Sequence, residues 1–465
     1  MKKFFQIFIP LVLFGVMIFE SHYTLSAGIS RLEVFSDSDL DALAKTINSD
    51  LIQRLDSAYE KLAIAGFSGS VLVARNGHVL FTRNIGYANY NTQQDINEKS
   101  VFQLASASKQ FTAMSVLLLT KEGKIDLDAS VTQYIPELPY TNVTVRNLLN
   151  HTSGLPDYLG FLTRYWRDKG VNPTNEDVVS IMADKKIRLN FKPGSRFVYS
   201  NTGYVVLAAV VERVSGLTFP QFAKKNIFEA LGMTHTFIHT TTVSVDSTTN
   251  DAMVTGHHGH NVIPMTICDG PVGDKGVYST VEDLYKWDQA LEHYKLIPIQ
   301  MQDAAFEAGH TNSGTEVPYG FGYRLRISPL GRLVYHNGLW GGFKSSFLRY
   351  VDSQTTVIAL NNNNSHALHP LVEGLSKVVN EAQKDRVTED IIFTLVKSNP
   401  EAVSEKIQAI MRTNTSAQIN EKKLRWAIDY LNITKKTQSA KNLVMLSYKL
   451  QGKDYNSDIS IGMKN

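Results

Sequence analysis

The chain has 465 residues, 43% hydrophobic and 20% charged, the balance of a globular protein with a full core; at roughly 150 residues per domain its length fits two or three domains. The formal net charge of +3, with no long basic run, argues against nucleic acid as a partner, because phosphate binding needs a concentrated basic face. Cys268 is the single cysteine, which excludes an internal disulfide, a CxxC zinc site and an iron–sulfur cluster.

At the N-terminus, Lys2 and Lys3 precede an apolar run from Phe4 to Phe19, and small residues follow at Ser26, Ala27 and Gly28. This three-part pattern predicts a signal peptide over residues 1–27, cut near Ala27. The run is shorter than the roughly 20 residues of a comfortable membrane span, and an uncleaved anchor is the alternative. No cysteine follows it to carry a lipid. The expected location is the periplasm or beyond, with no integral membrane domain past that possible anchor.

Leu40, Leu43, Ile47, Leu51, Leu55 and Leu62 recur at helical spacing and predict one long amphipathic helix. Apolar alternation on both sides of Asn76-Gly77 predicts a β-hairpin, because that dipeptide suits a two-residue turn. From about 100 to 300 the pattern is mainly helical. Helices are expected from Ser106 to about Lys121, after a Thr144 cap, over "SNTGYVVLAAVVERVSG" with Gly216 at its end, and after a capping box of Ser279 and Glu282. Strand patterns return in "YGFGYRLRI", "GRLVYH", "FKSSFLRYV" and "TTVIALNN", followed by a helix around 370–382. One sheet built from both ends of a segment, with helices inserted between, implies an α/β (α+β) sandwich: an antiparallel sheet flanked by helices, plus an all-α lobe. The last 80 or so residues read as three or four short helices, the first opened by Ser398 and Glu401 with Pro400 in its first turn. The expected organisation is a signal peptide (1–27), a main body (35–384) and a helical extension (385–465) that packs on the body; a partner for the extension is unknown.

The chemistry centres on "QLASASKQFTAM". Ser106 and Lys109 lie three apart, on one side of a helix. A serine needs a base in contact to become a nucleophile, and a buried lysine can be that base. An isolated S-x-x-K is ordinarily a capped helix with a surface lysine. Here it is followed by "FVYSNTGY", which places a phenol (Tyr199) and an amide (Asn201) two apart, and by "VYHNGLWGGF", where His336 ends a strand and Gly338 lets a ligand approach the backbone.

S-A-S-K, Y-S-N and H-N-G, in that order, resemble the three motifs of the serine β-lactamase and penicillin-binding-protein superfamily, in its class C-like branch. "LLNHTSGLPDY", "PGSRFVYSNTGY", "GVYSTVEDLYKW" and "YGFGY" also resemble family blocks, so the resemblance runs from about residue 60 to 380. It implies that Ser106 is acylated, that Lys109 and Tyr199 activate it and shuttle its proton, and that His336 lies across the cleft. It further implies that Asn201 contacts the acyl side of the substrate and that the N–H groups of Ser106 and Leu339 form the oxyanion hole beside Gly338. His336-Asn337-Gly338 departs from the lysine-threonine-glycine usual in class C β-lactamases and resembles the DD-carboxypeptidases, D-aminopeptidases and esterases of the branch. A histidine there implies weak β-lactam turnover and a rate that changes with pH between about 5 and 8. The expected substrate is a small-molecule or peptide amide or ester, first a D-amino-acid peptide, with no metal or organic cofactor. A binding protein or sensor that acylates without turnover is the rival reading.

Other candidates are weaker. His257, His258 and His260 sit in a Gly-rich loop without a matching carboxylate, so no metal is expected. Ser68 in "GFSGS" only approximates a nucleophile elbow and reads as the start of a strand. Asp157 and Tyr158 read as loop-structural, and Trp340 either lines the pocket or packs.

Overall fold

The computed structural model describes residues 33–168, 170–240, 252–414 and 419–450; the signal-peptide expectation lies outside them. Two compact units emerge, one of residues 50–383 and one that joins the segment before residue 50 to the segment from 384 on.

The expected single helix over 40–62 is two, α1 (Asp37–Ile47) and α2 (Ser49–Ala63). Asn48 breaks the run: its amide turns back to the Ala44 carbonyl at 3.0 Å, a bond that competes with helix continuation. The hairpin follows as β1 (Gly69–Arg75) and β2 (His78–Ile85), with positive φ at Asn76 and Gly77, as a type I′ turn requires. The helical stretch holds α3 (Lys109–Lys121), α4 (Val145–Leu149), α5 (Tyr158–Tyr165), α6 (Asn175–Asp184), α7 (Asn201–Ser215), α8 (Phe219–Ala223) and α9 (Val281–Glu292). Thr144 caps α4 through a full capping box, and Gly216 ends α7 at φ 71°. The cap of α9 is Thr280, not Ser279, whose hydroxyl is instead engaged by Thr236.

The chain then returns through β3 (Arg324–Ser328), β4 (Gly331–Trp340), β5 (Phe343–Tyr350) and β6 (Thr355–Asn361), and α10 (Leu368–Glu381) closes the first unit. The sheet order is β3-β4-β5-β6-β1-β2, antiparallel throughout, so the N-terminal hairpin docks on the last strand. This is the expected architecture. Along β4 the side chains alternate: Tyr335 and Asn337 share a cleft with α10, while His336 and Gly338 face the helical lobe and the turn that carries Ser106. The lobe is held by the apolar middle of α7, where Tyr204, Val205, Val206, Leu207 and Val210 are inaccessible. No single helix among the described residues is long and apolar enough to cross a membrane.

In the second unit, α1 groups with α11 (Arg386–Lys397), α12 (Pro400–Thr413), α13 (Glu421–Ile433) and α14 (Thr437–Leu450). Residues 37–47, read from sequence as the start of the main body, therefore sit with the C-terminal helices. Lys423 is the tie: its buried ammonium donates to the Ile47 carbonyl (2.9 Å), Asn48 Oδ1 (2.8 Å) and Glu389 Oε1 (2.8 Å). The cap of α12 falls on Asn399, with Pro400 at the first helical position, while the Ser398 hydroxyl takes a bond from Lys406.

Candidate active site

Ser106 lies in a 3₁₀ turn, Ala105–Ser108, that feeds α3. Ala105 is held at φ +48°, a left-handed conformation that costs an L-residue on the order of 1 kcal/mol and persists only where surrounding contacts impose it. Those contacts are visible. The Leu104 amide donates to the Val277 carbonyl (2.8 Å), Ser345 Oγ donates to the Leu104 carbonyl (2.6 Å), and the Val277 amide donates to Ser108 Oγ (3.1 Å). Gly338 completes the fit, since a Cβ there would fall 2.1 Å from the Leu104 carbonyl oxygen. The glycine therefore brings β4 against the Ser106 turn.

Lys109 is fully buried. Its Nζ stands 3.3 Å from Ser106 Oγ and 2.9 Å from both Asn201 Oδ1 and the Asp274 carbonyl. Asn201 opens α7, and its Nδ2 donates to Asp157 Oδ2 at 3.0 Å, which fixes the amide with its oxygen toward the lysine. Asp157 also caps α5 by accepting the Leu159 amide, so its loop role and its site contact coincide. The resemblance assigns Asn201 to the substrate; here its oxygen accepts from Lys109 and its nitrogen donates to Asp157.

Tyr199 lies beside the lysine, with Nζ 4.9 Å from the ring centroid and the Arg324 guanidinium carbon 5.1 Å away. Its hydroxyl is buried and has no hydrogen-bond partner among the described residues, so it retains its capacity to donate and accept. Behind it stands His151, fully buried, 4.3 Å from the Tyr199 ring and 4.4 Å from Tyr319. The Ser200 amide donates to His151 Nδ1, so the proton of the neutral ring sits on Nε2.

His336 departs from its expected behaviour. It lies within β4, which continues to Trp340, and is only 1% exposed. Its Nε2 meets the Tyr319 hydroxyl at 2.9 Å and its Nδ1 meets the Asn337 carbonyl at 2.7 Å. A carbonyl only accepts, so Nδ1 carries the proton and Nε2 receives the phenol. Burial, then the nearby Lys109, hold His336 well below the ordinary imidazole value, and the same two causes hold His151 down. Burial therefore favours the neutral ring, against the histidine titration expected between pH 5 and 8.

Leu339 exposes its side chain (60%), and its backbone is the useful part. Gly341 and Gly342, at φ 54° and 89°, form a two-residue turn, which makes Trp340 and Phe343 a hydrogen-bonded pair. Pairs alternate, so Leu339 and Lys344 are non-bonded and the Leu339 N–H points away from β5. On that side β3 has ended, its final partner being Tyr335. The amide is open at a strand edge beside Gly338 and the Ser106 turn. Together these groups offer a hydroxyl, an adjacent amine with a defined orientation, an unpartnered phenol and an open N–H donor.

The family described as Beta-lactamase matches residues 53–372, more than half of the chain. The chain belongs to the beta-lactamase family. It is 36% identical over 308 residues to penicillin-binding protein 4* of Bacillus subtilis (strain 168), covering 64% of this chain and 68% of that one. The penicillin-binding protein of Bacillus halodurans superposes with a TM-score of 0.60 at 24% identity, over 70% of this chain and 98% of its own. The D-amino acid amidase of Ochrobactrum anthropi SV3 does so with a TM-score of 0.60 at 22% identity, over 72% and 99%. At these identities the two structures speak to fold alone. The protein is thus a serine hydrolase of the β-lactamase and penicillin-binding-protein family.

His151, Tyr319, Arg324, Asp274 and Lys275 were not singled out by sequence. Only "GDKG", two opposite charges between glycines, carries a local signal. Among the discarded candidates, His257 and His260 pack on Tyr90 at 4.9 and 4.8 Å, and no group of three or more metal-ligating side chains occurs among the described residues. Ser68 is buried, with its hydroxyl on Asn362.

Proposed function

We propose that Ser106 forms an acyl-enzyme with the carbonyl of a small-molecule or peptide amide or ester. The observation that carries this reading is the coordination of Lys109. Asn201 Oδ1 and the Asp274 carbonyl hold its Nζ 3.3 Å from Ser106 Oγ, where an amine in contact with the hydroxyl can act as its base. Lys109 takes the hydroxyl proton as Oγ attacks. The tetrahedral oxyanion is received by the N–H groups of Ser106 and Leu339, each worth about 3 kcal/mol in the transition state. As the carbon–heteroatom bond breaks, the proton passes through the Tyr199 hydroxyl to the leaving amine or alcohol. Water then repeats the sequence and frees Ser106.

Substrate class follows from what is missing. The buried, neutral His336 supplies no cation on β4 for a substrate carboxylate. D-Amino-acid amides, and D-amino-acid peptides whose reacting residue bears no free carboxylate, are the first choice, carboxylic esters the second, and β-lactams, which carry a carboxylate, poor substrates. The N-terminal pattern supports export, with action in the periplasm or outside the cell. Hydrolysis of a D-alanyl peptide, a D-amino-acid amide, a p-nitrophenyl ester and a chromogenic cephalosporin tests the order, with Ser106→Ala beside each. The highest kcat/KM on the cephalosporin would reverse it.

A further inference from the structure

Two buried charges adjoin the site and take no part in the steps above. Asp274 and Lys275 form the centre of a turn bounded by Gly273 (φ +105°) and Gly276 (φ +97°), and each side chain is only 4% exposed. The Lys275 ammonium donates to the Tyr158 hydroxyl, to the Pro271 carbonyl (3.3 Å) and to Asp274 Oδ1 (3.5 Å). The Tyr158 hydroxyl donates in turn to Asp274 Oδ2 (3.3 Å). Burial, then the Asp274 carboxylate, push the Tyr158 phenol well above its ordinary value, so it keeps the proton this bond requires. Ring faces enclose the ammonium on two sides, Tyr158 at 5.2 Å and Trp340 at 4.8 Å.

The same turn supplies backbone acceptors to α3. The Asp274 carbonyl takes Lys109 Nζ, and the preceding Gly273 carbonyl takes Thr112 Oγ1 at 2.6 Å, one helical turn further on. The turn cannot relax toward α7: a Cβ at Gly273 would fall 2.6 Å from both Ala208 Cβ and the Tyr204 carbonyl oxygen. A carboxylate buried beside Lys109 without compensation would be driven toward water, and its carbonyl would move with it.

We infer that Lys275 is a positioning residue: by pairing with Asp274 and Tyr158 it holds the 274 carbonyl where it orients Lys109 toward Ser106. The inference rests on the acyl-enzyme reading. It makes the Asp274–Lys275–Tyr158 cluster part of what sets the turnover rate, although none of its side chains touches the reacting atoms.

The test is hydrolysis of p-nitrophenyl acetate by the full chain and its variants, with Ser106→Ala as the reference for the acyl-enzyme itself. Lys275→Met removes the ammonium and keeps the stem. Its kcat should fall about tenfold or more, because small displacements of a catalytic group are costly, while KM stays nearly constant. The double variant Asp274→Asn/Lys275→Met leaves no uncompensated charge and should regain most of the lost kcat. A purely structural role predicts no such rescue, and the double variant would then be as slow as the single. Tyr158→Phe, which deletes one hydroxyl, should lower kcat in the same direction and serves if Lys275→Met does not fold. Wild-type kcat in Lys275→Met or, failing that variant, in Tyr158→Phe would overturn the inference, as would a double variant no faster than the single. Full activity in Ser106→Ala would instead overturn the acyl-enzyme reading.

Discussion

A histidine on an active-site strand ordinarily titrates where enzymes work, and His336 does not because the fold has removed it from water. The consequence appears in stability. His336 and His151 are both neutral when folded and held below the ordinary imidazole value, chiefly by burial. Unfolding returns them to about 6.5, so below that pH the unfolded chain binds protons that the folded chain refuses. Stability must fall as the pH drops through this window, by up to about 1.4 kcal/mol per pH unit for each histidine. Chemical denaturation at pH 5, 6 and 7 checks it: His336→Gln should show a shallower dependence than the parent, and equal slopes would contradict the buried, neutral ring. Gly338→Ala tests the close approach of β4. With 2.1 Å available to its Cβ, the strand or the Ser106 turn must shift; acylation should fall about 100-fold or more, with a stability loss of about 1–3 kcal/mol. At this scale the sequence showed the residues joined by short motifs: Ser106 with Lys109, Tyr199 with Asn201, His336 with Gly338. Tyr319 and Asp274 meet them only across the fold, 17 and 165 positions away in chain order, and no local pattern reports such contacts.

Elements were legible where one local rule decided them. Asn76-Gly77 turned the hairpin, Thr144 capped its helix and Gly216 ended another, each through short-range geometry. Where two rules competed, the boundary moved. Apolar spacing ran unbroken through Asn48, yet its amide bond to the Ala44 carbonyl stopped the first helix. That break also bears on Lys423, which binds Ile47 and Asn48 at the end of α1 and pairs with Glu389 of α11. Both charges are 1% exposed. Lys423→Met removes the buried ammonium that the Ile47 carbonyl, Asn48 and Glu389 share and should cost about 3 kcal/mol. Replacing both residues with apolar side chains should recover most of that loss. Denaturant titrations of the single and double variants measure it, and a single variant of parental stability would show that the pair does not hold α1 in place.

At the scale of the molecule, the antiparallel sheet and helical lobe were legible because strands and helices have different apolar periods. The makeup of the second unit was not, because nothing within residues 37–47 announces that their partners lie some 380 positions on. Leu43 and Ile47 of α1 are inaccessible in that unit. A chain ending at 383 but retaining α1 should therefore expose them and aggregate more than a chain of residues 50–383, as light scattering of the two truncations would show; equal solubility would contradict the grouping.

The proposed chemistry of the first unit runs through a covalent Ser106 ester. Intact-mass spectrometry during a time course with a penicillin, with Ser106→Ala alongside, tests it most directly. The serine protein should gain the mass of the whole drug and the alanine variant none, with the adduct long-lived because β-lactams are poor substrates. An adduct of equal yield on Ser106→Ala would contradict it.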